Sequence, residues 1–354
     1  MLHYLVKRLL FIIPTLFGIT FITFLIVKMA PGDPLSLKLM FANGGISQKA
    51  LAQELAKQED PLQLPAWYQK IVETVSAKDS KAEKGMNWVG RNTIFYVKWL
   101  KNVLTLNFGL SSKDKRPVMS RIKEALPITL TLNIITIFIV YLISIPLGIW
   151  SAIKQNSVWD KVVMIKLFIL YALPEFWVAT LLLVFLAGGE YLNWFPLLGY
   201  ISNGAEHLSL WRKGVDVAWH LVLPITVYVY GSFAFLSRFA RTNFLEVVRQ
   251  DYIRTARAKG LPEKTVIWKH AFRNSLIPLV TLMGTLLPGL LGGSVIIEQI
   301  FSIPGMGMLS FEAVLSRDYN LIMGIATIEA FLTLVSLLLS DLMYIWVDPR
   351  ITLE

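Results

Sequence analysis

The sequence predicts an all-α membrane protein with six transmembrane helices and both termini on the cytoplasmic side. Three observations carry that expectation. Of 354 residues, 55% are hydrophobic and only 16% charged, against about 25% charged in a soluble domain, and the mean hydropathy is +0.57. Six stretches reach the roughly 20 apolar residues that a helix needs to cross a hydrocarbon core of about 30 Å. The chain is nonetheless basic, with 34 Lys+Arg against 24 Asp+Glu, and its cations in short loops gather on one side of those stretches.

The expected spans, in order, are Leu9–Met29, Ile128–Ala152, Val162–Ala187, Leu221–Ser237, Leu276–Ile297 and Leu321–Trp346. The first follows Lys7-Arg8 and is too long for a signal-peptide core, so it reads as an uncleaved anchor. The fourth is the shortest, with Pro224 placed to mark its first turn. With the N-terminus inside, the inner loops hold Lys7, Arg8, Lys154, Lys161 and nine cations between Arg238 and Arg273. The two short outer loops hold only Arg212, Lys213 and Arg317. That is the positive-inside pattern. The chain thus divides into an N-terminus with first span (1–29), a large outer loop (30–125) and a five-span core (126–354) with a cytoplasmic loop at 238–275.

The outer loop has its own signals. Ser47 is placed to cap a helix with Leu51 and Leu55 on one face, stopped by Pro61 and Pro65. Trp67, Ile71 and Val75 suggest a second short helix, and Lys78–Lys84 a solvated connector. Phe95, Trp99 and Val103, with Tyr96 and Leu100, form an apolar face at i, i+4 spacing. That helix either lies on the membrane surface or packs on a partner, and packing against the membrane domain is preferred. Residues 43–90 enlarge the loop and are expected to contact other proteins.

Catalytic chemistry is excluded more quickly. There is no cysteine, which removes thiolate catalysis and Cys-ligated metals. His3, His207, His220 and His270 are too scattered for metal-ligand spacing. No serine-hydrolase elbow, zincin or calcium-loop pattern occurs. The segment Gly85-Met-Asn-Trp-Val-Gly90-Arg91-Asn92 has the glycine spacing of a phosphate loop but lacks its Lys and Ser/Thr. A nucleotide, if used, is bound by another chain. A nucleic-acid partner is not expected, since the basic charge is accounted for by topology.

The loop after the fourth span is the most informative stretch. In Asp251-Tyr-Ile-Arg254-Thr255-Ala256-Arg257-Ala258-Lys259-Gly260-Leu261-Pro262, Asp251 is placed to cap a short helix and cations fill its last turn. Gly260 and Pro262 end it, and a new helix starts at Pro262 and runs through Trp268 and His270 into the fifth span. A solvated basic loop would satisfy the same composition. The capping, and small residues among the cations, favour a helix that docks in a partner's groove, with Ala256 on the groove face.

This loop, with His270-Ala271-Phe272-Arg273-Asn274 after it, resembles the coupling segment of binding-protein-dependent ABC importer permeases of the oligopeptide/dipeptide/nickel branch. Further resemblances are Ala30-Pro31-Gly32-Asp33-Pro34, Asn107-Phe108-Gly109-Leu110-Ser111, Pro127-x-Thr129-Leu130, Ile145-Pro146-Leu147-Gly148, Ser316-Arg317-Asp318-Tyr319 and Val347-Asp348-Pro349-Arg350. Relatives usually carry Asp where Asn107 stands. The enlarged first loop and Phe195-Pro196 look closest to permeases for oligopeptides and microcin C. The resemblance implies a type I importer permease in the bacterial inner membrane, passing oligopeptides or peptide antibiotics, with ATPase coupling through Arg254, Thr255, Ala256, Arg257, Ala258, Lys259 and Gly260. It also implies a homologous second permease, two ATPase domains and a periplasmic substrate-binding protein. ATP and magnesium would then bind the ATPase partners, leaving this chain without cofactor, metal or catalytic residue.

Acids within the spans stand apart from those motifs. Lys28 and Lys166 lie near span ends and can snorkel, and Asp341 lies near the inner end of the last span. Glu175 sits at mid-span beside Pro174, and Glu329 in the outer half of the last span. A charge at mid-bilayer costs at least about 2.5–3.5 kcal/mol and should face a cavity or partner. Structural acids, protonated or paired, are one reading. A translocation path for a zwitterionic or cationic substrate is the other. A proton-coupled secondary transporter using Glu175, Glu329 and Asp341 is the alternative function. It is disfavoured because the spans show no convincing pair of broken helices in corresponding halves, and because it leaves the capped basic loop unexplained. A membrane-embedded hydrolase lacks any nucleophile–base pair.

Overall fold

A computed structural model of the chain describes residues 2–29, 96, 97, 99–188, 191–286 and 288–347. The helices expected near Leu51 and Trp67, the connector Lys78–Lys84, the segment 85–92 and the whole 43–90 enlargement lie outside the described residues, as do Asp348-Pro349-Arg350. Regular structure among the described residues is helical throughout. The elements are α1 (Leu2–Met29), α2 (Val118–Ile153), α3 (Val158–Ala172), α4 (Glu175–Leu182), α5 (Leu210–Val248), α6 (Asp251–Ala258), α7 (Phe272–Leu286), α8 (Val295–Ile300), α9 (Met306–Leu315) and α10 (Tyr319–Val347). A π turn, Leu183–Ala187, extends α4, and another, Val266–Ala271, leads from Glu263–Thr265 into α7.

Among the described residues, four helices are long and apolar enough to cross a membrane: Lys7–Val27 within α1, α2, α5, and Tyr319–Leu342 within α10. The third and fifth expected spans are not straight. Val158–Ala172 and Glu175–Ala187 meet at 92°, and Glu263–Gly284 and Pro288–Ile300 at 49°. The first break has a plain cause. Leu173 precedes Pro174 and is extended, at φ −78° and ψ 130°, because a proline disfavours helical backbone at the residue before it. The two bends fall in the third and fifth expected spans, which are not corresponding positions of the two halves of the chain, so they do not form the pair that the secondary-transporter alternative calls for.

Two further expectations change. The fourth helix begins at Leu210 after Ser209, so Arg212 and Lys213 lie in its first turn and Pro224 lies inside it rather than at its start. A proline inside a long helix removes one backbone rung, which membrane helices tolerate when neighbours re-satisfy the freed carbonyl. The first and last spans extend past their expected ends, since polar flanks continue the same helix.

The described residues divide into two compact units. In the unit formed by Ile13–Ile122 and Glu312–Ile328, Tyr96 packs on α1 against Phe17, Phe21 and Phe24. Its hydroxyl lies 3.0 Å from that of Thr20. Asp318 accepts from the Ser111 hydroxyl and the Ser112 N–H, and Asn320 donates to the Leu110 carbonyl at 2.9 Å. Two sequence motifs that lie some two hundred residues apart are thereby joined.

The other unit contains Lys123–Phe311 with Met1–Ile12 and Glu329–Glu354. Here α2 and α5 touch backbone to backbone at Gly148. A Cβ at that position would meet the Ser237 carbonyl and sit 2.8 Å from Ala240 Cβ, so only glycine allows the approach. Val140, Leu236, Ala240 and Leu279 bury the seam between α2, α5 and α7.

Candidate functional site

The capped loop forms as a helix with two distinct faces. Gln250 occupies the N-cap with extended backbone, and Asp251 is the first helical residue, so Asp251 is not the cap expected from the sequence. Its charge still favours the first turn, where the helix dipole is positive. At the other end, Gly260 has φ +77°. Its N–H donates to the Arg257 carbonyl at 2.9 Å, and the Leu261 N–H to Ala256 at 3.4 Å. Those two bonds are a Schellman closure, and they use carbonyls that the helix end leaves unpaired.

The inner face of α6 is apolar. Ile253 and Ala256 are buried with Ile149 and Ala152 of α2, Phe244 of α5, and Val266 and Ala271 of the next helix. Ala256 therefore faces the protein's own core and not a partner, contrary to the expectation. Arg254, Thr255, Arg257, Ala258, Lys259 and Gly260 are exposed, beside exposed Tyr252, Leu261 and Trp268. This outer face is basic with apolar patches. The family resemblance groups seven residues that the fold divides into one anchor and six outward positions.

Polar contacts hold α6 to its surroundings. Asn274 donates to the Tyr252 hydroxyl at 2.7 Å, which ties the second resemblance motif to the first. Arg257 pairs with Glu263 across the turn. Nearby, Arg241 of α5 donates to both carboxylate oxygens of Asp160 on α3, at 2.9 and 2.8 Å. Asp160 also accepts from Ser151 of α2 and from the Asn156 N–H. Sequence reasoning had counted Arg241 only as a loop cation. The signal it missed is Ser157-x-x-Asp160, a capping pattern whose Ser157 oxygen accepts from the Asp160 N–H.

A second missed group is Glu298. It is fully buried and accepts from Thr129 Oγ1 at 3.1 Å and from the Met308 N–H at 2.8 Å. Thr129 in turn accepts from the Met306 N–H at 2.8 Å. Gly293, Gly305 and Gly307 crowd the carboxylate; a Cβ on Gly305 would lie 2.6 Å from its oxygens. The Gly305-Met-Gly307 spacing was the available clue.

The two acids expected on a path are not brought together. Glu175 begins α4 and lines a cavity of about 510 Å³, whereas Glu329 is absent from that lining. Asp341 forms an ion pair with Arg8 at 2.7 Å. No group of His, Asp and Glu able to hold a metal occurs among the described residues.

Residues 144–353 match the family described as the binding-protein-dependent transport system inner membrane component. Similar proteins include the inner membrane ABC transporter permease protein YejB of Escherichia coli O157:H7, 35% identical over 99% of both chains. The oligopeptide transport system permease protein AppB of Bacillus subtilis is 37% identical, also over 99% of both. The dipeptide transport system permease protein DppB of Alkalihalophilus pseudofirmus is 33% identical over the same shares. All three relatives are permease proteins by name, the first of an ABC transporter.

Proposed function

The chain belongs to the family of binding-protein-dependent transport system inner membrane components, and from that premise we propose that it forms half of the translocation pathway of an ATP-driven peptide importer. It is an inner-membrane permease subunit, and hydrolysis falls to partner chains that carry ATP and magnesium. The peptide assignment rests on full-length relatives whose names specify oligopeptide and dipeptide transport. Counting each broken pair as one span gives six, with both termini then on the cytoplasmic side by the positive-inside pattern. The remaining partners in this reading are a second, homologous permease, two ATPase domains and a periplasmic binding protein.

The observation that carries the mechanism is the two-faced α6. Its basic outer face suits an acidic groove on an ATPase. Its inner face is wedged against α2, α5 and the helix leading into α7, so a displacement of α6 moves those spans together. In this reading ATP binding closes the ATPase pair, α6 follows, and the pathway opens outward to the binding protein. A ligand shifts such an equilibrium only through different contacts in its two states. Closure of the groove on α6 supplies that difference.

The test is uptake of a labelled tripeptide by cells carrying the assembled importer. Uptake should vanish when the ATPase subunits are deleted and persist when the proton gradient is dissipated with ATP held constant. The opposite pattern would overturn the reading in favour of proton coupling.

A further inference from the structure

The cavity beside the break between α3 and α4 has an unusual polar lining: Thr136, Tyr141, Tyr171, Glu175, Tyr230 and Ser232. No Lys, Arg or His contributes to it. The two hydroxyls whose hydrogens are accounted for point them elsewhere. Tyr230 donates to the Leu173 carbonyl at 2.9 Å, the carbonyl just before the proline break. Tyr141 donates to the Leu279 carbonyl at 3.1 Å. Both oxygens then have only lone pairs left to offer. Glu175 forms no hydrogen bond or ion pair among the described residues, and an ionised carboxylate only accepts.

The cavity thus offers acceptors, holds one carboxyl group and has aromatic residues in its wall. Its complement is a compact cation with several donors, since a primary ammonium has three N–H groups and no acceptor. Ring faces of Tyr and Phe235 add attraction for a cation. A volume of about 510 Å³ falls in the range of small-molecule sites. It accommodates the end of an extended molecule and not a long chain.

We propose that this cavity is a subsite for a primary ammonium group of the transported cargo, with Glu175 as its counter-ion and Tyr141 and Tyr230 as acceptors. It rests on the peptide-importer reading, in which every cargo molecule with a free amino terminus carries such a group. It goes further by naming where in this chain that terminus is held.

The chain contains no cysteine, so Ser232→Cys places one thiol in the cavity of the assembled importer. Its modification by cationic ethyltrimethylammonium methanethiosulfonate and by the anionic ethylsulfonate analogue is followed by mass spectrometry of this chain. After division by the reagents' rates on a free thiol, the cation should be preferred by about tenfold or more. Glu175→Gln should abolish the preference and Glu175→Asp should retain it. Tetra-alanine delivered with the binding protein should slow the modification, and N-acetyl-tetra-alanine should not. No preference in the unsubstituted background, or a preference that survives Glu175→Gln, overturns the proposal. So does undiminished modification while tetra-alanine is being imported. Where no peptide is imported at all, the peptide-importer reading fails, and the reagent preference still decides whether the cavity selects cations.

Discussion

Arg257 and Glu263 face each other across the turn at Gly260, the guanidinium Nε and Nη2 donating to the two carboxylate oxygens at 3.1 and 2.7 Å. Both side chains are largely exposed, so the pair contributes less than about 1 kcal/mol to stability. Its consequence is geometric, because it fixes α6 relative to the helix that continues into the membrane. Hydrogen bonding from Arg257 holds the Glu263 carboxyl below its ordinary pKa of 4.5. The pair's stabilisation is therefore complete above that value and is lost as pH falls through the lowered one.

Charge reversal at this pair separates turn geometry from docking. Arg257→Glu should reduce substrate-stimulated ATP hydrolysis and weaken ATPase association in a salt-dependent way, most at low salt. The double exchange Arg257→Glu with Glu263→Arg should restore the turn and part of the coupling. Co-purification of the ATPase subunits across a salt series reads the result; a double exchange no better than the single one would mean that the turn contact is irrelevant.

Gly260 offers a cleaner probe of backbone strain. Its φ is +77°, and a Cβ there would meet nothing within 4 Å. Substitution therefore costs only conformational energy, roughly 1–2 kcal/mol for an ordinary residue. Gly260→Val should uncouple ATP hydrolysis from uptake in an inserted permease, whereas Gly260→Asn, which tolerates this region, should stay within about twofold of normal. Equal activity of both variants would show that the Schellman turn does not position α6.

Ala256 and Ala258 should fail differently although they are two residues apart. Ala256 is buried against Phe244 and Ile149, so Ala256→Trp overpacks the core by about 1–3 kcal/mol or more and should lower the melting temperature in detergent. Ala258 is exposed, so Ala258→Trp should leave melting unchanged while impairing ATPase association. Identical phenotypes would contradict the two-faced helix.

The Asp160–Arg241 pair is the polar bolt between α3 and α5. With Asp160 almost fully buried, breaking such a pair costs on the order of 3 kcal/mol. Asp160→Asn should cost less than Asp160→Ala, because it keeps a hydrogen-bonding side chain beside Ser151 and Asn156. Thermal unfolding of the purified permease distinguishes the two, and equal stability of wild type and Asp160→Ala would remove the bolt from the account.

Orientation is tested in intact cells. Ser80→Cys should react with a membrane-impermeant thiol reagent added outside, and Thr265→Cys should react only after permeabilisation. External labelling of Thr265→Cys would invert the topology and the assignment of α6 with it.

The apolar stretches, the charge asymmetry and the punctuation around Gly260 were legible in the chain because they follow from local rules. Hydrophobic length sets a span, cations mark a side, and a glycine with positive φ ends a helix. The same local rules came within a residue or two of the ends of the last helix, Tyr319–Val347, which has no proline inside it. They gave no sign of the bends within Val162–Ala187 and Leu276–Ile297, the first of which falls at Pro174.

Tertiary structure alone decided which face of α6 turns inward. At helical spacing Ala256 and Ala258 look alike, and only the arrival of Phe244, Ile149 and Val266 from other helices buries one of them. It also paired Arg241 with Asp160 across 81 residues and Thr129 with Glu298 across 169. It left Glu175 facing a cavity of acceptors while Glu329 stayed out of it. Local sequence carries periodicity and capping, which act over one or two turns. The environment of a charge is set by whichever segments fold against it, and no local pattern encodes that.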